Sequence, residues 1–229
     1  MAGPRWATFD CYGTLIDWNL GIRREFERLF GVEAAPHLLE RYHELEPRLE
    51  ADGRLSYREV LTAAMRQLGA PADEEDALAR SLPGWRPFPE VPTALGEVRA
   101  RGWKLAILSN TDRDLIEASI ARLGVPFERA IVASELGSYK PGPAHWRRFF
   151  AETGASREGH VHVAASLFHD IAPAAELGLR TIWIDRLGER PEPQPVRVLS
   201  DLRRLPETLE ELVPARICDD PRGRSGSRS

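Results

Sequence analysis

Trp6-Ala7-Thr8-Phe9-Asp10-Cys11-Tyr12-Gly13-Thr14-Leu15 is the stretch on which the reading of this chain turns. A short apolar run ends in an acid, and a glycine follows three residues later. That pattern predicts a buried strand whose C-terminal end delivers Asp10 into a loop. From Trp18 to about Arg80 the periodicity becomes helical. Ile22, Phe26, Leu29 and Phe30 form one stripe; Leu38, Leu39, Tyr42, Leu45 and Leu49 a second; Val60, Leu61, Ala64, Met65 and Leu68 a third. No strand-like alternation interrupts them, so this stretch reads as an all-helical insertion. Pro83-Gly84-Trp85-Arg86-Pro87-Phe88-Pro89 marks the return from it.

Beyond that return, strands and helices alternate. Strands are expected at 105–108, 130–132, 160–165, 181–184 and 196–199. Helices are expected at 112–123, 143–152, 171–177 and near 202–212. Such alternation predicts an α/β fold with a parallel sheet covered by helices on both faces. Ligands of these sheets bind beyond the carboxyl ends of the strands. Asp10, Tyr12 and Thr14 follow the first strand, Ser109 and Asn110 the second, and Asp170 the strand at 160–165. Lys140 precedes a helix between the last two. If the sheet forms, all of these groups share one cleft.

Composition limits the partners. Of 229 residues, 42% are hydrophobic and 29% charged, as in an ordinary globular protein, and the net charge of −4 is spread in mixed sign. Neither a nucleic-acid footprint nor a membrane-binding patch follows from that pattern. Cys11 and Cys218 lie near opposite ends, so no disulfide framework is expected. The first residues lack an apolar run of signal-peptide length, and no segment has the length of a membrane span, so a cytoplasmic protein is expected. The Arg-, Gly- and Ser-rich tail is expected to be disordered.

The residue types suit covalent catalysis. A carboxylate nucleophile forms an ester or acyl phosphate that water then hydrolyses. A nearby lysine keeps it ionised. Ser109, Asn110 and the backbone N–H groups at Cys11 and Tyr12 can hold a small anionic substrate. Asp170 can orient or deprotonate the second-step water, or cap the following helix. Thr14 can bond Asp10 or the loop backbone. His162 and His169 read as structural.

These same residues resemble the haloacid dehalogenase superfamily. Asp10-Cys11-Tyr12-Gly13-Thr14-Leu15 looks like its first motif and Leu108-Ser109-Asn110 its second. Tyr139-Lys140-Pro141 looks like the third, and Asp170 with Gly178 and the 181–184 strand like the fourth. The match runs over residues 5 to 213, in order. It implies a Rossmann-like core at 1–15 and 89–213, a helical cap at 16–88 and a disordered tail at 214–229.

Within the superfamily, phosphatases carry a second aspartate two residues after the nucleophile, to protonate the leaving group. Here Tyr12 stands there, with a phenol pKa ordinarily near 10. Where those enzymes often place a further acid, this chain has Ala165. Asp-x-Tyr-Gly-Thr is instead similar to the 2-haloacid dehalogenase branch, whose halide leaves without an acid. The resemblance puts a halide-side arginine at Arg41, off the stripe of Leu38, Tyr42, Leu45 and Leu49. It also gives Asp10, Thr14, Arg41, Ser109, Lys140 and Asp170 catalytic duties. Cys11, Tyr12, Asn110 and Trp146 fall to substrate binding. Two departures stand out. Ala165-Ser166-Leu167-Phe168-His169-Asp170 lacks a serine and an asparagine of the branch, and Trp146 replaces a tyrosine.

The implied reaction is hydrolytic dehalogenation of short 2-haloacids through an ester on Asp10, with no cofactor, in an enzyme that is often a homodimer. One alternative is a magnesium-dependent phosphatase of small phosphate esters, with Mg²⁺ on Asp10 and Asp170. Others are a binding protein that retains the cleft, and a hydrolase of another activated carbon centre.

Overall fold

The computed structural model describes residues 3–51, 53–188 and 197–215. Its strands are β1 (Trp6–Phe9), β2 (Lys104–Ser109), β3 (Arg129–Val132), β4 (His160–Ala164), β5 (Arg180–Ile184) and β6 (Arg197–Leu199). They form one sheet, β3-β2-β1-β4-β5-β6, with every pairing parallel. Parallel strands are covered on both faces, and β1 is accordingly buried along its whole length. Ala7 and Phe9 join the larger core on one face. Trp6 packs on the other with Trp146 and Phe149, and Thr8 shares its side by the two-residue period.

Between β1 and α5 (Val91–Ala100) lie α1 (Trp18–Phe30), α2 (Ala35–Glu50), α3 (Tyr57–Gln67) and α4 (Ala77–Ser81). Asp17 caps α1 by accepting from the Leu20 N–H at 3.1 Å. Ser56 and Glu59 form a reciprocal capping box on α3. The outgoing and returning connections of this helical segment pair with each other. Asp17 N donates to Arg86 O (2.9 Å) and Phe88 N to Leu15 O (3.1 Å). The remaining helices are α6 (Arg113–Leu123), α7 (Ala133–Leu136), α8 (Ala144–Thr153), α9 (Ala172–Glu176) and α10 (Leu205–Leu212). Among the described residues no helix is long and apolar enough to cross a membrane. The predicted tail lies outside the described residues from 216 onward, as does residue 196 of the last predicted strand.

Two local differences from the sequence reading matter. On α2 the buried face is Leu38, Tyr42, Glu46 and Glu50, not the leucine stripe; Leu45 and Leu49 are only half-buried. The helix expected from Ile171 is preceded by a π-helical turn, Leu167–Ile171, in which Ile171 N donates to Ser166 O at 3.1 Å. Such wide turns recur at functional sites, and this one carries Asp170.

β1 sits between β2 and β4, so the chain leaves it to one side and later returns to the other. The crevice at its carboxyl end is where such sheets bind ligands. Gly13 makes the turn there, with φ +86°, and an added Cβ would stand 2.9 Å from Trp18 Nε1. Gly13→Ala is therefore expected to lose about 1–2 kcal/mol from the left-handed backbone alone. Urea unfolding measures it, and an unchanged midpoint would refute the strain.

Candidate active site

Asp10 leaves the end of β1 and is 8% exposed. Lys140 Nζ donates to Asp10 Oδ1 (2.9 Å), to Asp170 Oδ1 (2.7 Å) and to Leu108 O (2.9 Å). All three of its protons are thereby used. Thr14 Oγ1 donates to Asp10 Oδ2 (2.8 Å) and accepts from Ala165 N–H (2.9 Å). Thr14 thus bonds the nucleophile candidate and ties its loop to the end of β4.

Burial sets the electrostatics. It raises the Asp10 carboxyl above its ordinary value, opposed by the Lys140 charge and reinforced by that of Asp170. For Lys140, burial works against the ammonium, but the charges of Asp10 and Asp170 outweigh it and hold its pKa above the usual lysine value. Burial also acts against the Asp170 anion. The Lys140 charge and a bond from His162 overcome it, taking Asp170 down to about 2. Asp170 is therefore the lysine's closer partner and a weak base.

Behind Asp170 runs a buried polar chain that the sequence reading did not find. His162 Nε2 lies 3.0 Å from Asp170 Oδ1, and His162 Nδ1 lies 2.8 Å from Thr8 Oγ1. Thr8 Oγ1 lies 2.8 Å from His160 Nε2. One consistent order of donors runs from His160 to Thr8, from Thr8 to His162 and from His162 to Asp170. The signal was the two-residue period, since residues 160 and 162 share a face of β4 and pair with β1 at Trp6 and Thr8. Trp146 meets the His162 ring edge-on at 5.3 Å.

A cleft of about 600 Å³ opens over these groups. Ser109, Asn110, Lys140 and Asp170 line it from the sheet, and Trp18, His43, Glu46, Glu50 and Tyr57 from the helical segment. Ser109 is 1% exposed and its hydroxyl has no protein partner. Asn110 is fully used: its amide nitrogen donates to Glu50 Oε2 and Lys140 O, each at 3.0 Å, and its oxygen accepts from Lys140 N–H at 2.7 Å. Tyr12 lines the cleft with its ring, while its hydroxyl meets Ser119 Oγ at 3.0 Å. Burial raises the phenol further above its ordinary value, so it is no proton donor at neutral pH.

Three expected contacts are not made. Arg41 is exposed and outside the lining. On a helix it is rotated by about 100–180° from Tyr42, Glu46 and Glu50, which face inward. Cys11 is wholly buried in the core, where burial pushes its thiol well up; only its backbone is left to serve a substrate. Trp146 packs behind the sheet with Trp6 and Phe149 on the buried face of α8. Besides His162, three groups were missed: Glu46, Glu50 and Arg186. Arg186 follows β5 and donates through Nη2 to Thr14 O (2.8 Å) and Glu90 Oε1 (2.9 Å). Its guanidinium lies 3.5 Å over the Phe88 ring.

The donor set does not fit magnesium. That ion seeks octahedral oxygen coordination from one or two carboxylates and waters. Here the Lys140 ammonium already bridges an oxygen of each candidate carboxylate and Thr14 takes the other oxygen of Asp10, which leaves Asp170 Oδ2 as the single carboxylate oxygen of the pair without a partner among the described residues. Among the described residues no group of three or more His, Cys, Asp or Glu side chains is placed to hold a metal ion.

Comparison with known proteins agrees with this architecture. Residues 4–178 match the haloacid dehalogenase-like hydrolase family. The chain is 31% identical to haloacetate dehalogenase H-2 of Moraxella sp. (strain B), over 79% of this chain and 85% of that one. It is 29% identical to a phosphoserine phosphatase of Thermus thermophilus, over 64% of this chain and 61% of that one. The structure of a 2-haloacid dehalogenase from Pseudomonas syringae pv. Tomato superposes with a TM-score of 0.60 at 28% identity, covering 91% of this chain and 99% of that one. This chain belongs to the haloacid dehalogenase-like hydrolase family.

Proposed function

We propose that this hydrolase cleaves the carbon–halogen bond of 2-haloacids, with Asp10 as the nucleophile and the helical segment as a cap over the cleft. One observation carries the reading. Asp10 is buried and accepts hydrogen bonds from Lys140 and Thr14, while the group two residues on, Tyr12, has its hydroxyl turned away to Ser119. A leaving group that needs no protonation suits such a site, and a phosphoester does not.

An oxygen of Asp10 attacks C2, and in-line displacement inverts that carbon. The halide departs among the positive edges of the aromatic rings that line the cleft. Ser109 Oγ and backbone N–H groups after Asp10 receive the substrate carboxylate. Water then attacks the Asp10 ester carbonyl, Lys140 and Thr14 steady the oxyanion, and the 2-hydroxy acid leaves. Asp170 Oδ2 is buried and has no protein partner, so it is placed to orient that water. At a pKa of about 2 it holds the water rather than storing its proton.

The testing experiment is halide release from 2-chloropropionate and chloroacetate, with and without EDTA. Release that survives EDTA supports the reading. Hydrolysis of p-nitrophenyl phosphate that EDTA abolishes, with no halide release, would replace it.

His162 should act through Asp170 on the second step alone. His162→Phe is expected to slow ester hydrolysis by about 10–100-fold, the worth of a hydrogen bond to a charged group. Rapid quench would then show a burst of one halide per site before slow turnover. His162→Gln should recover part of the rate. Equal slowing of burst and steady state would refute the assignment.

A further inference from the structure

The helical wall of the cleft carries two buried carboxyl groups. Glu46 and Glu50 project into it from α2, 7% and 5% exposed. Tyr42 and Tyr57 hydroxyls both donate to Glu46 Oε1, at 3.1 and 2.7 Å, and Asn110 donates to Glu50 Oε2. Among the described residues no protein donor reaches the second oxygen of either residue. Two hydroxyls donating to one oxygen favour the charged form of Glu46 and partly offset its burial.

Among the described residues no lysine or arginine forms an ion pair with Glu46 or Glu50, although the Lys140 charge acts on Glu50 from across the cleft. Lys140 has spent its three protons on Asp10, Asp170 and Leu108 O. Arg186 is bound to Glu90 and Thr14 O. His169 Nε2 lies 3.8 Å from Glu50 Oε2, but burial lowers its pKa and keeps it neutral. Burial outweighs the two tyrosine hydrogen bonds and pushes Glu46 up to about 7, and burial with the Glu46 charge raises Glu50 well above its ordinary value, so both carboxyls lack a compensating cation. At the sheet end of the same cleft stands the opposite feature, the partnerless Ser109 hydroxyl, 1% exposed and able to donate. A 2-haloacid of two or three carbons would meet Ser109 and leave the acidic wall facing nothing. The cleft volume is also in the range of larger ligands.

We propose that the substrate is a zwitterion, a 2-haloacid that also carries an ammonium group, with its carboxylate at Ser109 and its ammonium between Glu46 and Glu50. This rests on the dehalogenase reading above and names its substrate class. The chemistry stays balanced. An Asp10 oxygen forms the C–O bond as the halide leaves with the C–X electron pair. Water then splits the ester, returning the Asp10 carboxylate and releasing a hydroxy amino acid and one proton. The ammonium is a handle and does not react. Trp18 and Tyr57 add aromatic rings to the same wall.

The test separates binding from chemistry. Calorimetry on the whole protein compares 4-aminobutyrate and 6-aminohexanoate with butyrate and hexanoate, for wild type, Glu46→Gln and Glu50→Gln. Thermal melting first establishes that each variant is folded. The expected result is at least about tenfold tighter binding of one amino acid over its matched acid, with most of that preference lost in both variants. Equal or weaker binding of the amino acids, no binding of either, or a preference untouched by Glu46→Gln, would overturn the proposal. Halide release from 2-chloropropionate is read separately. A preference for the amino acids without halide release from any chloroacid would keep the ammonium site and overturn the carbon–halogen chemistry. Halide release with no such preference would do the reverse.

Discussion

Lys140→Met is expected to destabilise the protein by about 3–5 kcal/mol and to stop turnover, because it leaves two buried carboxylates without their shared counter-ion. Asp170 is 1% exposed and Asp10 8%, so water cannot take over the lysine's part. Methionine fills much of the volume, which makes charge the variable under test. Lys140→Arg should rescue little, since a planar guanidinium cannot place one nitrogen against three acceptors. Acid sensitivity carries the sign of the effect. In the wild type Asp170 is depressed from 3.8 to about 2. Its contribution to stability is therefore complete above pH 3.8 and is lost as pH falls towards 2. Without Lys140 burial holds both carboxyls above their unfolded values, so the variant should instead regain stability as pH falls and they are neutralised. Urea unfolding from pH 2 to 7 measures both effects, and coincident wild-type and variant curves would show that the ion triad contributes nothing.

Asp10→Asn should abolish halide release, a drop of at least about 10⁴-fold, because the amide has no anion with which to displace a halide. The geometry should survive, since the asparagine oxygen can still accept a bond from Lys140 or Thr14. A single turnover in H₂¹⁸O, with enzyme in excess, gives the sharper result. Water attacks the ester carbonyl, so the product's new hydroxyl oxygen should be ¹⁶O from Asp10, and the label should enter the protein. Label in the product of that first turnover would mean direct attack by water, with Asp10 as its base.

The core of this reading was legible because strands and their ends leave strong marks. Trp6–Phe9, Leu105–Leu108 and Thr181–Ile184 are apolar runs bounded by turn residues. Polar groups set just beyond such runs, Asp10 and Ser109 among them, have few other places to go. The helical wall was misread for a physical reason. Hydrophobic periodicity assumes that the buried face of a helix is apolar, and on α2 that face includes Glu46 and Glu50, buried against a cleft and not a core. The family resemblance placed Arg41 at the halide, while the inward ridge of Leu38, Tyr42, Glu46 and Glu50 leaves it exposed on the opposite side. Trp146 was placed by its spacing from Lys140, although spacing does not tell which face of α8 a residue occupies. The Thr8–His160–His162 chain joins residues some 150 positions apart. It became visible only once β1 and β4 were neighbours.

The burial of Lys140 also bears on how the protein can be handled. The sequence contains two lysines, Lys104 and Lys140. Lys104 is exposed at the start of β2, with its ammonium 5.3 Å from the Trp6 ring centre. Amine-acylating reagents need a free, deprotonated and accessible nitrogen, and Lys140, sealed under three acceptors, offers none of these. Dyes or supports coupled through lysine should therefore attach at Lys104, at the amino end of the strands and remote from the cleft, and leave turnover intact.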